Sequence, residues 1–315
     1  MPALAIVIVS WNTRALLHRA IVTVHASLAG AGIAYQIIVV DNASHDGTPA
    51  MLRAAHPEVE LIEAGANLGF AGGNNLALRK LLPAESAPTP DVQYVLLLNP
   101  DTETVGDAIP QLVRYLAANP DVVAVGPQLR YPDGSVQSSR RRFPTRGVYF
   151  WESTPLAQRW PNNPWARRYR CTDMPDDREQ AADWLVGAAL LVRCTAIERA
   201  GLLDAGFAMY SEELEWQRRL GRFGKIVYVP SAVIIHHEGK SSEQAPAQRY
   251  LNFQHSRVRD AAMVYGPRFA SLLRWFLRTA YAAELATEAA KWMVGHKRPL
   301  RAQRVGVYWR VLRGL

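Results

Sequence analysis

Two apolar runs in this 315-residue chain close on an aspartate: YQIIVVD ends at Asp41 and YVLLLNPD ends at Asp101. Further along, SEELEW brings Glu212, Glu213 and Glu215 together, and VIIHHEG sets His236 and His237 at the end of a third apolar run. Side chains of these types suit two tasks. One is general-base removal of a proton from an attacking hydroxyl. The other is holding a hard divalent cation that offsets charge gathering on a departing phosphate. Between the two aspartates, NLGFAGGNN at 67–75 is a Gly/Asn-rich turn running into a helix. Backbone can approach a ligand closely there, and a helix start favours anions.

These groups must be positioned by the elements around them. A continuous Ile/Val/Leu run bounded by turn residues reads as a strand buried on both faces, so each terminal aspartate sits at a strand's carboxyl end. In open parallel sheets that edge forms the ligand crevice. The first strand, LAIVIVSWN, ends on Ser10, Trp11 and Asn12 at the same edge. Strands over 4–10, 36–41, 59–63, 94–98 and 122–126 alternate with helices over 14–29, 47–55, from 73, and 107–118, which is the rhythm of a doubly wound α/β domain. PAESAPTPD at 83–91 reads as a Pro-rich surface loop. Residues 127–182 are arginine-rich and aperiodic, read as loops and short elements over the cleft that either meet an anionic acceptor or form a variable insertion. A strand-to-helix segment at 183–201, a short helix at 212–223 and a strand at 225–230 follow.

The ordered set VIVSWN, VVDNASHDGT, NLGFAGGNN, LLLNPDT, DWLVGAALLVR, SEELEW and HHEGKSS resembles glycosyltransferase family 2, in its rhamnosyltransferase-like branch, over residues 4–242. The resemblance implies a GT-A nucleotide-diphospho-sugar transferase fold: a Rossmann-like, mostly parallel sheet flanked by helices. It implies a catalytic domain at 1–242, with a nucleotide-sugar half to about residue 126 and an acceptor half over 127–242, followed by a helical extension at 243–315. Asp101 corresponds to the metal aspartate of the family's Asp-X-Asp motif, here Asn99-Pro100-Asp101 with one of the two usual carboxylates missing, and Mg²⁺ or Mn²⁺ is the implied cofactor. His236 corresponds to the position facing metal or diphosphate, with His237 supporting the loop. Glu213 corresponds to the catalytic base, where aspartate is more usual, with Glu212 beside it. Asp41 corresponds to the residue accepting a hydrogen bond from a pyrimidine base, flanked by Ser10, Trp11 and Asn12. Asn67, Gly69, Phe70, Gly73 and Asn74 then face the nucleoside and sugar, and Trp184, Gly187 and Glu215 the sugar or acceptor. The implied reaction is inverting transfer of a sugar, L-rhamnose from dTDP-rhamnose, to a cell-surface glycan or polyprenyl-diphosphate-linked acceptor in polysaccharide or cell-wall synthesis.

Composition adds the surroundings. Residues 268–315 carry ten Lys/Arg against two Glu, a net +8 that equals that of the whole chain, with Trp275, Phe276, Tyr281, Trp292, Tyr308 and Trp309 among them. A basic helical face beside Trp and Leu suits contact with an anionic membrane; an ordinary solvated helical cap is the other reading. Charges at Arg274, Arg278, Glu284, Glu288 and Lys291 break the most apolar stretch, so no spanning helix is expected. No leader pattern opens the sequence, and two cysteines at no metal or redox spacing suit a reducing compartment. The expected location is cytoplasmic, peripheral on the inner membrane face. No nucleic-acid motif accompanies the charge, so nucleic acid is not an expected partner. A dinucleotide-binding dehydrogenase is set aside because the first turn reads SWNTR rather than G-x-G-x-x-G; a sugar nucleotidyltransferase fails on the same turn. The remaining rival is a noncatalytic basic adaptor docked on membrane.

Overall fold

The structure is a computed structural model that describes residues 3–82, 92–152, 157, 160–207, 209–238 and 246–315. The expected Pro-rich loop at 83–91 lies outside the described residues, as does the GKSS part of the last motif. Packing divides the chain into two compact units: Met1–Phe143, Arg170–Ala208 and Glu212–Ser241 form the first, and Pro144–Tyr169, Met209–Ser211 and Ser242–Leu315 the second.

The first unit is built on a mixed sheet. Its strands are β1 (Ala3–Ser10), β2 (Tyr35–Asp41), β3 (Glu60–Glu63), β4 (Val92–Leu98), β5 (Thr102–Val105), β6 (Val122–Arg130), β11 (Ala189–Arg193) and β12 (Lys225–His236), in spatial order β3-β2-β1-β4-β11-β6-β12-β5. Short strands β7 (Val136–Gln137) and β9 (Gln180–Ala181) pair with β6 and β12, and β8 (Arg140–Arg141) pairs with β10 (Trp184–Leu185). Parallel pairing joins β3, β2, β1 and β4, and also β6 and β12; β11 runs antiparallel between β4 and β6. An antiparallel strand flanked by two others reverses direction twice. The carboxyl ends of β1, β2, β4, β6 and β12 therefore meet at one edge.

Helices α1 (Arg14–Leu28), α2 (Thr48–Ala55), α3 (Gly69–Leu81), α4 (Ala108–Ala118), α7 (Cys194–Ala200) and α8 (Glu212–Leu220) cover the sheet. Helix α1 buries Leu17, Ala20, Ile21 and Val24, the i, i+3, i+4, i+7 stripe of an amphipathic helix. Two apolar layers result. One gathers Ile6, Ile8, Leu17, Ile21 and Leu112; the other gathers Val7, Val40, Leu78, Leu190 and Trp216.

Three expected elements begin or end four or more residues from where the sequence places them. Helix α3 begins at Gly69 rather than 73, because Asn67 Oδ1 accepts the Gly69 N–H and Gly69 turns into the helix at φ 69°. Strand β6 runs on to Arg130. Strand β12 runs through Pro230 to His236, with a register shift between Val229 and Val233. A proline is tolerated at such an irregularity because its missing N–H breaks no ladder bond there.

The second unit contains α5 (Arg146–Trp151), α6 (Pro164–Tyr169), α9 (Pro246–Tyr265), α10 (Pro267–Met293) and α11 (Arg298–Gly314), around Tyr149, Val258, Ala261, Leu273, Leu277 and Val311. Part of the arginine-rich segment thus packs with the C-terminal helices. Arg140, in the first unit, is buried and donates to the carbonyls of Cys171, Met174 and Pro175, pinning the chain that follows. Both cysteines are buried free thiols, and burial pushes the Cys194 thiol up to about 12.

Candidate functional site

At the edge where the strands end, the backbone enters the left-handed region just past three of them: Asn12 after β1 (φ 52°), Ala43 after β2 (φ 60°) and Glu238 after β12 (φ 37°). Non-glycine residues held there cost of order 1 kcal/mol or more each and cluster at functional sites.

Asp41 ends β2 opposite Ser10 of β1 and is buried. Its Oδ2 accepts the Ser44 N–H at 2.9 Å, an Asx turn. Its Oδ1 is also buried, and among the described residues no donor reaches it. The residue therefore caps its turn with one oxygen and leaves the other without a donor among the described residues. Ser10 and Asn12 build the wall beside it. Ser10 Oγ bonds Thr13 Oγ1, while Asn12 receives the His45 N–H on its side chain and donates its own N–H to Ser44 Oγ. Trp11, between them, is half-buried. Asn42 donates to the Gly69 carbonyl, which ties the end of β2 to the start of α3.

Within α3 the expected ligand contacts separate. A Cβ on Gly73 would lie 2.7 Å from Val9 Cγ1, so this glycine serves close packing of helix on strand. Asn74 is buried and bonds the Phe70 carbonyl within its own helix. Asn75, unmarked by sequence reasoning, exchanges two hydrogen bonds with the Leu203 backbone and anchors the helix. Phe70 reaches further: its ring edge would touch a Cβ placed on Gly187 at 3.4 Å.

Gly187 is where the acidic helix arrives. A Cβ there would lie 3.3 Å from both Cβ and Cγ of Glu213. The register of this contact is set one turn away by Gln217, fully buried, whose side chain accepts the Leu185 N–H at 2.8 Å and donates to the Leu185 carbonyl at 2.7 Å. Residues i and i+4 of a helix are about 6 Å apart along the axis, and residues i and i+2 of a strand about 6.6 Å apart. Gln217 on Leu185 therefore aligns Glu213 with Gly187. A lone glutamine on an amphipathic helix carries no sequence signal for this clamp; only its pairing with WLVG would have suggested it.

Glu213 is half-buried, and its Oε2 has no accessible surface and no hydrogen-bond partner among the described residues. Burial raises its pKa, against backbone N–H groups of Glu213, Leu214 and Gly187 and the Arg141 guanidinium, which act to lower it. The neighbouring acids are spent differently. Both oxygens of Glu215 are held by Arg219 at 2.8 Å, and Glu212 is buried on the first turn of α8. The chain enters that turn through Tyr210 and Ser211 at φ 70° and 66°. Trp184 is only 7% exposed and gives its indole N–H to the Arg142 carbonyl.

The third group lies past β4 and β12. Asn99 N–H donates to the Ala188 carbonyl, next to Gly187, and Asp101 follows two residues later. Asp101 Oδ1 lies 3.4 Å from His236 Nε2, both side chains being buried. The tautomer of His236 follows from its neighbours. Glu238 accepts from Gln137 Nε2 at 2.8 Å, so Gln137 turns its oxygen to His236 Nδ1 at 2.9 Å and Nδ1 carries the proton. The Nε2 lone pair is thereby turned toward Asp101 and the Asn99 amide. Two acceptors 3.4 Å apart match adjacent donors on one ion with bonds of about 2.1 Å. The residues present thus fit a divalent cation. His237 braces the loop, donating its backbone N–H to the Asp101 carbonyl and bonding Glu103 Oε1 through Nε2 at 2.7 Å. Gln137 was missed in the sequence because its partner lies 99 residues away.

The three groups are linked by direct contact, from Asp41 through Asn42, Gly69 and Phe70 to Gly187 and Glu213, and from Ala188 through Asn99 to Asp101 and His236.

A family model described as "Glycosyl transferase family 2" matches residues 5–176. An N-acetylglucosaminyl-diphospho-decaprenol L-rhamnosyltransferase of Mycobacterium tuberculosis is 35% identical over 251 residues, 78% of this chain and 80% of that protein. Among solved structures, a mannosyltransferase from Pyrobaculum calidifontis in complex with GDP-Man and Mn²⁺ superposes with TM-score 0.55 at 17% identity, covering 99% of this chain and 86% of that one. GalNAc-T7 with UDP, GalNAc and Mn²⁺ gives TM-score 0.59 at 14% identity, covering 84% of this chain and 48% of that one.

Proposed function

The chain belongs to glycosyltransferase family 2 and has the GT-A fold, and on that premise we propose that it transfers L-rhamnose, with inversion, from dTDP-L-rhamnose to a glycan carried on a polyprenyl diphosphate. One observation carries the mechanism: a half-buried carboxylate, Glu213, abuts Gly187 near the ends of β4 and β12, where Asp101 and His236 present two converging acceptors. The choice of sugar and acceptor is supported by the mycobacterial relative, whose own name specifies both.

Each group then has a role. Asp41 Oδ1 accepts the imide N–H of a pyrimidine, the donor that a solitary carboxylate oxygen suits. Asp101 and His236 Nε2 would hold a divalent ion, Mn²⁺ or Mg²⁺, which when bound neutralises charge developing on the diphosphate leaving group. Glu213 takes the proton of the acceptor hydroxyl as that oxygen attacks the anomeric carbon. With Glu215 locked to Arg219, Glu213 acts as base and no covalent sugar intermediate is invoked, hence inversion.

The test is a donor panel: dTDP-rhamnose, UDP-hexoses and GDP-mannose, with and without Mn²⁺ or Mg²⁺, read by thermal shift and by release of nucleoside diphosphate. The dTDP sugar with a divalent ion is expected to give the largest shift and the fastest release. Failure of all donors to shift the protein would overturn the reading.

Contact with anionic membrane belongs to the same proposal. No described helix is long and apolar enough to cross a membrane. In the second unit Leu272, Trp275, Trp292, Met293 and Trp309 are exposed among Arg274, Arg278, Arg298, Arg310 and Arg313. Removal of 268–315 would destroy the core around Leu273 and Val311, so the informative variant is Trp275→Ala with Trp292→Ala and Trp309→Ala. It is expected to sediment with phosphatidylglycerol vesicles at least about tenfold less well, with its melting temperature retained. Undiminished sedimentation would rule those faces out.

A further inference from the structure

Far along the chain from the acidic helix and the His236 loop, a second set of titratable side chains meets at the amino-terminal edge of the sheet, where α1 and α2 end. His25 lies in the last turn of α1, His56 caps the end of α2, and Glu58 stands in the turn before β3. Glu58 Oε1 is 3.0 Å from His25 Nε2 and 3.4 Å from His56 Nδ1, and the three atoms all lie within 4.8 Å of one another. A tetrahedral ion with bonds of about 2.1 Å separates its donors by about 3.4 Å; the two Glu58 spacings already lie near that value, and a modest rotation of the half-exposed His25 ring would bring its nitrogen to the same distance from His56.

A second feature points the same way. Each imidazole has a partner on its other nitrogen: His25 Nδ1 is 2.7 Å from the Tyr35 hydroxyl and His56 Nε2 is 2.8 Å from His18 Nδ1. Outer hydrogen bonds of this kind fix tautomer and ring orientation in metal-bound histidines. Without an ion, His25 Nε2 donates to Glu58 Oε1 at 3.0 Å; with the Tyr35 oxygen and the His18 nitrogen accepting from His25 Nδ1 and His56 Nε2 instead, His25 Nε2 and His56 Nδ1 would each turn a lone pair to an ion beside the same carboxylate oxygen. Two imidazole nitrogens and a carboxylate oxygen then converge as the ligands of one ion.

We propose that His25, His56 and Glu58 bind a Zn²⁺ ion that clips the ends of α1 and α2 to the entry of β3. The donor set of two neutral imidazoles and one carboxylate suits a borderline ion such as Zn²⁺ and is poor for Mg²⁺ or Ca²⁺. The fourth position is open to water, since His25 and Glu58 are 32% and 49% exposed. No reacting group of the transfer site takes part, so the ion's effect is on stability, as for any ligand that binds only the folded chain.

The probe is Zn²⁺ itself, added to chelator-treated full-length protein and followed by calorimetric titration and thermal melting, with Co²⁺ as a spectroscopic substitute. Wild type and Asp101→Asn are both expected to bind one ion, to melt higher with it, and to give the intense visible bands of four-coordinate Co²⁺. His25→Gln and Glu58→Gln, at exposed positions where folding is not in question, are expected to bind at least about tenfold more weakly and to lose the melting gain. Their transferase turnover should match wild type. Binding unaltered in both variants, binding abolished by Asp101→Asn, or no Zn²⁺ uptake by wild type at micromolar concentration would each overturn the proposal.

Discussion

Glu213→Gln is expected to bind the donor nucleotide as wild type does and to transfer sugar about 10²–10⁴-fold more slowly, the range that positioned general bases contribute. Glutamine fills the same volume against Gly187 and Phe70, so the pocket shape and donor dissociation constant should hold within about twofold. What is lost is the capacity to accept a proton. Because burial raises the Glu213 pKa, wild-type turnover should fall on acidification from a higher pH than an ordinary glutamate would give, and this limb should vanish in the variant. The same shift fixes the sign of a stability effect. An acid whose pKa is raised on folding contributes stability below its unfolded pKa, and this is lost as pH rises through the folded value. Glu213 therefore burdens the folded chain at neutral pH, and Glu213→Gln should melt at or above the wild-type temperature there, the two converging in acid. Donor binding by calorimetry, single-turnover transfer and melting curves against pH check the three parts. Wild-type transfer rates in the variant would remove Glu213 from the role of base.

Much of this was legible because the informative runs are local. The strand ends at Ser10, Asp41 and Leu98, the acidic helix start and the terminal histidine of β12 each announce themselves within about ten residues, through apolar runs closed by polar side chains. The GT-A fold and the family follow from those runs in order, and the comparisons bear both out. What the sequence could not convey was how side chains spend their hydrogen bonds. Asn74, Gly73 and Glu215 carry the residue types of a ligand site yet are occupied within the chain, by the Phe70 carbonyl, by Val9 and by Arg219. Gln217 and Gln137 look generic and instead set the positions of Glu213 and His236, through partners 32 and 99 residues away. Strand β12 outruns the expected 225–230 because the sheet absorbs Pro230 at a register shift between Val229 and Val233.

Asp101→Asn tests the other half of the site and should lower kcat/KM by about 10²–10³-fold, the usual effect of losing one preorganised electrostatic contact to a developing anion. The missing second carboxylate makes the loss large: with asparagine at position 99, Asp101 is the one acid of its three-residue motif. His236 Nε2, whose other ring nitrogen is held by Gln137, lies 3.4 Å from its Oδ1. Amide for carboxylate preserves size and one oxygen but removes the charge. The concentration of Mn²⁺ needed for half-maximal nucleotide binding should therefore rise steeply, while binding of the nucleoside alone, which engages Asp41, is left as it was. Replacement of His236 by glutamine should act on the same quantity. Since the two side chains would serve one ion, the double variant should lose much less than the product of the single losses, the non-additivity expected of residues with a shared partner. Electron paramagnetic resonance of Mn²⁺ in the presence of dTDP reads this without reference to turnover. Losses that multiply would mean that Asp101 and His236 act independently, and unchanged Mn²⁺ binding in Asp101→Asn would take the cation away from this loop altogether.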